Sequence, residues 1–187
     1  MESLMKYVLD TSLNERETYL LGSIVSQWGY LEADIFEQTL QALADVEPLP
    51  KEMNNAKFSL VLDLWLREVA EKQEGEWRAV LIAQYERIRE LSQFRQAVVH
   101  SRWEWTSERP DEVVAVRVIK KEAIRAKFTV QDLADMAGRV GEIRYLIRYP
   151  GGLEDRAKEM AETGFFVSRG GWERLFGVSG SVEDEMS

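Results

Sequence analysis

The chain has 187 residues, of which 45% are hydrophobic and 30% are charged, with 33 acidic and 24 basic side chains. This composition indicates a folded globular protein, and the length fits one main domain. The chain contains no cysteine and one histidine, which excludes disulfides, thiolate nucleophiles and cysteine-ligated metals. No apolar run approaches the roughly 18–20 residues that span a bilayer. We therefore expect a cytoplasmic protein without a membrane segment, a metal or another cofactor.

The charge is unevenly distributed along the chain. Residues 1–50 carry 2 basic and 9 acidic side chains, whereas residues 101–150 carry 10 basic and 8 acidic ones. An acidic protein repels nucleic acid at long range, so any such binding has to be local. One cluster of basic residues is a candidate nucleic-acid-binding site. It can equally be a solvent-exposed strand and connector without such a role. The cluster consists of Arg117, Lys120, Lys121, Arg125 and Lys127.

The spacing of apolar residues predicts four long helices. They should run over about 15–44, from 51 or 55 to 72, over 77–99 and over 129–149, the last one capped by Thr129. The alternating segment over about 102–119 predicts a small β-hairpin between the third and fourth helices. Residues 151–187 form a C-terminal appendage, partly flexible, with a short helix near 153–163 and a glycine-rich connection at Arg169-Gly170-Gly171. The predicted fold is mainly α: a four-helix bundle in residues 1–150 with an inserted hairpin.

Two charged residues occupy core-facing positions on this helical reading. Arg95 falls at the centre of the apolar stripe of the third helix, which runs from Trp77 to Val99, and Glu32 falls within about 40° of Trp28 on the first helix. A guanidinium in an apolar stripe is costly unless a carboxylate pairs with it, so we expect Arg95 and Glu32 to meet. The alternative is that each side chain extends to solvent at a bundle end.

The single histidine, His100, follows Arg95 by five residues, which is about 140° around an ideal helix. Because Ser101 and an alternating segment follow, we expect the helix to end at this point. The imidazole can then turn toward the arginine or toward a second chain. A lone histidine is more often structural or exposed than catalytic.

At these residues the sequence resembles the HEPN superfamily, whose members are small helical bundles with an Arg-x4–6-His motif near a helix end. The matching segment is Arg95-Gln96-Ala97-Val98-Val99-His100, followed by Ser101-Arg102-Trp103. Trp28-Gly29-Tyr30-Leu31-Glu32 is similar to an aromatic-Gly-x-Leu-Glu segment of some members. The resemblance covers about residues 15–148. It departs at Gln96, where active members commonly have Asn, Asp or His.

The resemblance implies a metal-independent endoribonuclease of a toxin or antiphage-defence type. Arg95, Gln96 and His100 would be catalytic, with Glu32 and Ser101 in support. Since one histidine cannot supply both an acid and a base imidazole, the resemblance implies a homodimer. RNA would contact four basic residues, Arg102, Arg117, Lys120 and Lys121, and an antitoxin or other protein is a further possible partner. The alternative is a non-catalytic HEPN-like interaction or regulatory module, which the acidity and Gln96 favour.

Overall fold

The computed structural model describes residue 10 and residues 12–54, 57–165 and 167–176. Over these residues the chain is mainly helical, with six α-helices and one three-stranded sheet. They fall into two units that divide between Gly151 and Gly152. The elements are α1 (Glu15–Ala42), α2 (Phe58–Trp65), α3 (Gly75–His100), β1 (Arg102–Thr106), β2 (Arg109–Ile119), β3 (Glu122–Thr129), α4 (Val130–Arg148), α5 (Leu153–Thr163) and α6 (Arg169–Phe176).

Two helices of the first unit begin at reciprocal side-chain caps. The Asn14 side chain accepts from the Glu17 backbone N–H, and the Glu17 carboxylate accepts from the Asn14 N–H, each at 2.9 Å. Thr129 and Asp132 form the same arrangement at the start of α4, which confirms the predicted cap. Such boxes satisfy backbone donors that a helix start otherwise leaves unpaired. They fix where α1 begins and where β3 passes into α4.

The second predicted helix is divided into three parts. A 3₁₀ turn at Lys51–Met53 precedes α2, and a π-helical turn over Leu66–Ala70 follows it, closed by a 2.8 Å hydrogen bond from Glu71 N to Leu66 O. The π turn contains one residue more than an α-helical turn, and this affects which residues are buried. It keeps Ala70 fully buried, five residues after the fully buried Trp65. The predicted second helix is thus present over residues 58–70, but it is not a single α-helix and it ends before residue 72.

The core of the first unit is built from the predicted apolar stripes. The buried residues of its long helices include Ile24, Trp28, Leu31 and Ile35 in α1, Leu81, Ile88 and Leu91 in α3, and Leu133, Val140, Ile143 and Ile147 in α4. The stripe of α3 is shorter than expected. Trp77, near the start of the helix, is 43% exposed, and Val99 is 41% exposed although its neighbour Val98 is buried.

The expected hairpin is a three-stranded antiparallel sheet in the order β1-β2-β3. Trp103 pairs with Ala115, which pairs in turn with Ala126. The third strand was not predicted because Lys120-Lys121, which joins β2 to β3, lacks the glycine or asparagine typical of such turns. The alternation in β3 was readable, since Phe128 is partly buried on the core while Arg125 and Lys127 are exposed.

The sheet contributes to the core, so the fold is not a clean four-helix bundle. The Phe128 ring lies 4.6 Å from the Phe94 ring of α3 and 5.6 Å from the Trp103 ring, between centroids. Val113 of β2 is 1% exposed within the same cluster. The bundle with an added hairpin is thus corrected to helices packed on one face of a small sheet.

The second unit consists of α5 and α6 in its described part. The short helix predicted near 153–163 is confirmed as α5. Where the sequence predicted a glycine-rich connection, α6 begins instead at Arg169. The Ser168 hydroxyl accepts from the Gly171 N–H at 3.1 Å, which caps this helix despite its glycines. Residues 177–187 of the predicted appendage lie outside the described residues.

Candidate active site

Arg95 of α3 and Glu32 of α1 form an ion pair between the two helices. Arg95 Nη2 lies 3.5 Å from Glu32 Oε1, which confirms the predicted contact. The side chains are 27% and 33% exposed, so the pair lies at the margin of the core rather than inside it. At this end of α3 Leu91 and Val98 are buried whereas Gln96 and Val99 are exposed, so Arg95 lies between buried and exposed positions of the helix. A guanidinium placed there is held by a carboxylate and remains reachable from solvent.

Trp28 fixes the carboxylate of this pair. Its indole Nε1 donates a hydrogen bond to Glu32 Oε1 at 2.8 Å, and its ring is buried at 2% exposure. The same oxygen therefore contacts both the indole and Arg95. Sequence reasoning assigned Trp28 to the core only. The four-residue spacing of Trp28 and Glu32, which places them on one helix face, was the available signal.

His100 and Gln96 lie on the exposed side of α3, away from Arg95. His100 is the last residue of the helix, and both side chains are exposed. Since α3 stays helical through His100, the imidazole keeps its angular offset of about 140° from Arg95. No hydrogen bond or ion pair joins His100 to Arg95 within the described residues. The predicted end of the helix is confirmed, and of the two directions left open for the imidazole, a contact with Arg95 of the same chain is not formed.

Ser101 caps the end of α3 with extended backbone, and its N–H donates to Ala97 O at 3.2 Å. The Ser101 Oγ atom is buried and has no hydrogen-bond partner among the described residues. The hydroxyl therefore does not reach toward the Arg95–Glu32 pair. Of the two residues expected to support the site, only Glu32 contacts Arg95.

Arg102 differs from the other predicted RNA-binding residues because its side chain forms an ion pair. On the outer face of the sheet, Arg102 Nη2 lies 2.9 Å from Glu104 Oε2, and Arg125 bonds to the other oxygen of that carboxylate. The hydrogen bond from Arg125, and secondarily the one from Arg102, lower the pKa of Glu104 below its ordinary value. Arg102 and Arg125 thus share one carboxylate, which balances the charge of Arg102 only in part.

Arg117, Lys120 and Lys121 lie together at the free end of the β2–β3 hairpin. β1 pairs with β2 only as far as Arg102↔Val116, whereas the β2–β3 pairing continues to Ile119↔Glu122. Residues 117–124, here named the basic arm, therefore extend past the start of β1. Within the described residues the three cations of the basic arm form no ion pair or hydrogen bond.

No family model matches the chain, and no curated protein or solved structure is significantly similar to it. The site therefore has to be argued from its own geometry. Over the described residues, no group of three or more histidine, aspartate or glutamate side chains is placed to hold a metal ion. None of the described helices is long and apolar enough to cross a membrane.

The arrangement presents two reactive groups at one end of α3. Arg95 offers a planar guanidinium whose orientation is set by Glu32, and the described residues leave its other N–H groups without partners. His100 offers an imidazole that reaches solvent at the junction of α3 with β1. A guanidinium binds the oxygens of a phosphate, and an imidazole exchanges protons near neutral pH. The two groups suit phosphodiester chemistry.

Proposed function

We propose that the chain is a metal-independent endoribonuclease of a toxin or antiphage-defence type that acts as a homodimer. The observation that carries the proposal is the Arg95–Glu32 ion pair. The pair orients a solvent-reachable guanidinium five residues before the only histidine of the chain. The HEPN-like spacing of Arg95 and His100 adds to this support, with the cytoplasm as the proposed location.

The proposed reaction is cleavage of RNA by its own 2′-hydroxyl. A base takes the 2′-hydroxyl proton, the oxygen attacks the adjacent phosphorus, and the bond from phosphorus to the 5′-oxygen breaks. An acid delivers a proton to that 5′-oxygen, leaving a 2′,3′-cyclic phosphate and a free 5′-hydroxyl. Arg95 stabilises the charge on the non-bridging oxygens, and His100 exchanges the protons. Gln96 is proposed to hydrogen-bond the substrate.

The reaction needs a base and an acid, and one chain supplies a single imidazole. A second copy of the chain supplies the second. A dimer would also give a role to a His100 that faces away from Arg95 of its own chain. Because the imidazole is exposed, it can face the other chain. The homodimer is thus a requirement of the mechanism, and an antitoxin would act by covering this shared site.

A non-catalytic interaction module is the second candidate, and two observations favour it. Glu32 already neutralises Arg95, and Gln96 stands where active HEPN proteins commonly have another residue. In that case the ion pair serves only to hold α1 against α3, and His100 has no chemical role. The two functions differ in whether removal of the imidazole changes any activity.

The test is a cleavage assay on labelled structured and unstructured RNA in excess chelator. We expect the wild type to leave 2′,3′-cyclic phosphate ends, and His100→Ala and Arg95→Ala to reduce the rate by at least about a hundredfold. Gln93→Ala is the matched control, because Gln93 is an exposed residue of the same helix. Equal cleavage by wild type and His100→Ala, or no cleavage by either, would favour the interaction module.

A further inference from the structure

The basic arm extends from the rest of the sheet. Beyond the last β1 pair, three residues of each strand continue, a length of about 10 Å. Val118 is 71% exposed and Ile124 is 49% exposed along this length. Since the arm passes the first residue of β1, it lies at the end of the sheet where α3 gives way to β1. That is also the end at which His100 is exposed.

The turn at the tip of the arm is built from two strained lysines. Lys120 has φ 51° and Lys121 has φ 71°, both in the left-handed region. Two-residue hairpin turns of this kind favour Asn-Gly, because a β-carbon makes positive φ unfavourable. Strained backbone of this kind concentrates at functional positions. The tip of the arm thus carries two adjacent cations at positions where Asn-Gly would form a less strained turn.

The basic arm contains positively charged side chains but no aromatic residue. Its residues include Arg117, Lys120 and Lys121, while the aromatic side chains of the sheet, Trp103, Trp105 and Phe128, lie outside the arm. Single-stranded RNA is bound largely by stacking its bases on aromatic rings, whereas double-helical RNA is bound through its phosphates and its shape. The arm suits the second kind of RNA.

We propose that the basic arm binds the phosphates of a double-helical RNA stem and so delivers an adjoining unpaired segment to the site near His100. This inference rests on the proposed action on RNA and names the part of the substrate that gives affinity. Binding and cleavage are then separate functions of separate residues. A change in the arm should alter the affinity for RNA without altering the chemistry at Arg95 and His100.

The experiment measures the affinity of the full chain for a fluorescent 2′-O-methyl RNA duplex of about 20 base pairs, and for one of its single strands. This probe is double-helical but lacks the attacking hydroxyl, so cleavage does not interfere. Two variants are compared with the wild type: Lys120→Asn/Lys121→Gly and Lys120→Gln/Lys121→Gln. Arg67→Gln/Arg78→Gln removes the same charge from exposed positions elsewhere and is the control.

We expect the duplex to bind more tightly than the single strand, and both lysine variants to weaken duplex binding by about tenfold or more at physiological salt. The slope of log affinity against log salt should fall by nearly 2. The Asn-Gly variant alone should unfold at a higher urea concentration than the wild type. The control should bind as the wild type does.

Two results would overturn the inference. One is equal affinity for duplex and single strand, and the other is a lysine variant that binds the duplex as tightly as the control does. Neither result bears on catalysis. Conversely, suppose that duplex binding depends on the arm but the chain cleaves no RNA. That result would support the inference about the arm and refute the proposed ribonuclease activity.

Discussion

Arg95 and Glu32 connect α3 to α1 through a 3.5 Å ion pair whose carboxylate oxygen also accepts a hydrogen bond from Trp28. The pair is half-buried, and so it has two roles. It stabilises the packing of the two helices, and it holds the guanidinium at a position that solvent and a substrate phosphate can reach.

Replacing Glu32 by glutamine should lower the free energy of unfolding by about 1 kcal/mol, because Arg95 then keeps a partly desolvated charge without a counter-ion. Urea denaturation measures this. Glu37→Gln is the control, since Glu37 is exposed on the same helix, and it should change stability little. Equal stability of the two variants would argue that the ion pair contributes nothing to the fold.

Replacing Trp28 by phenylalanine should cost about 1–2 kcal/mol, because it removes the indole donor and leaves a smaller ring in a buried position. Part of this loss should disappear when Glu32 is already glutamine, since the indole then no longer bonds a charged acceptor. A double-mutant cycle with Glu32→Gln measures that coupling. Strict additivity would show that the indole and Glu32 act independently.

Replacing His100 by alanine should leave the melting temperature within about 2 °C of the wild type, because the side chain is exposed at a helix end. Differential scanning calorimetry measures this. The prediction matters for interpretation, since a stable His100→Ala protein makes any loss of cleavage attributable to the imidazole. A large fall in melting temperature would mean that His100 has a structural contact that its exposure does not suggest.

The stability of the sheet should decline in acid through Glu104. Its folded-state pKa lies below the ordinary value of 4.5, chiefly because Arg125 donates to it. A carboxyl with a lowered folded-state pKa contributes stability above its unfolded pKa, and that contribution is lost as the pH falls through the folded value. We expect Glu104→Gln to flatten the fall in unfolding free energy below about pH 4.5. Glu122→Gln, exposed at the start of β3, should keep the slope of the wild type.

The Arg95–Glu32 contact could be predicted because it follows from helix periodicity and the cost of an unpaired charge. Both residues lie on apolar stripes that the sequence defines, and few partners exist for a core-facing guanidinium. The depth of the pair could not be predicted in the same way. It depends on which side of α3 is buried near the end of the helix, where Val98 is buried and Val99 is exposed.

The turn before the third strand and the π turn illustrate what periodicity does not reveal. β3 follows a turn of two lysines, and positive φ at lysine has no signature in the sequence. The π turn at Leu66–Ala70 adds one residue to a helical turn so that Ala70 remains buried, which depends on tertiary contacts. The end of α3 at His100 could be predicted, but the sequence left open whether the imidazole faces Arg95 or a second chain.

If two copies of the chain share one ribonuclease site, subunit mixing should reveal it. Wild-type chain at fixed concentration is equilibrated with increasing His100→Ala chain, and RNA cleavage is measured in excess chelator. If each site needs two histidines, mixed dimers are inactive. Activity per wild-type chain should then fall to about half in an equal mixture and to about a tenth at ninefold excess. Activity that is independent of the added variant, or absent from the wild type, would contradict the account.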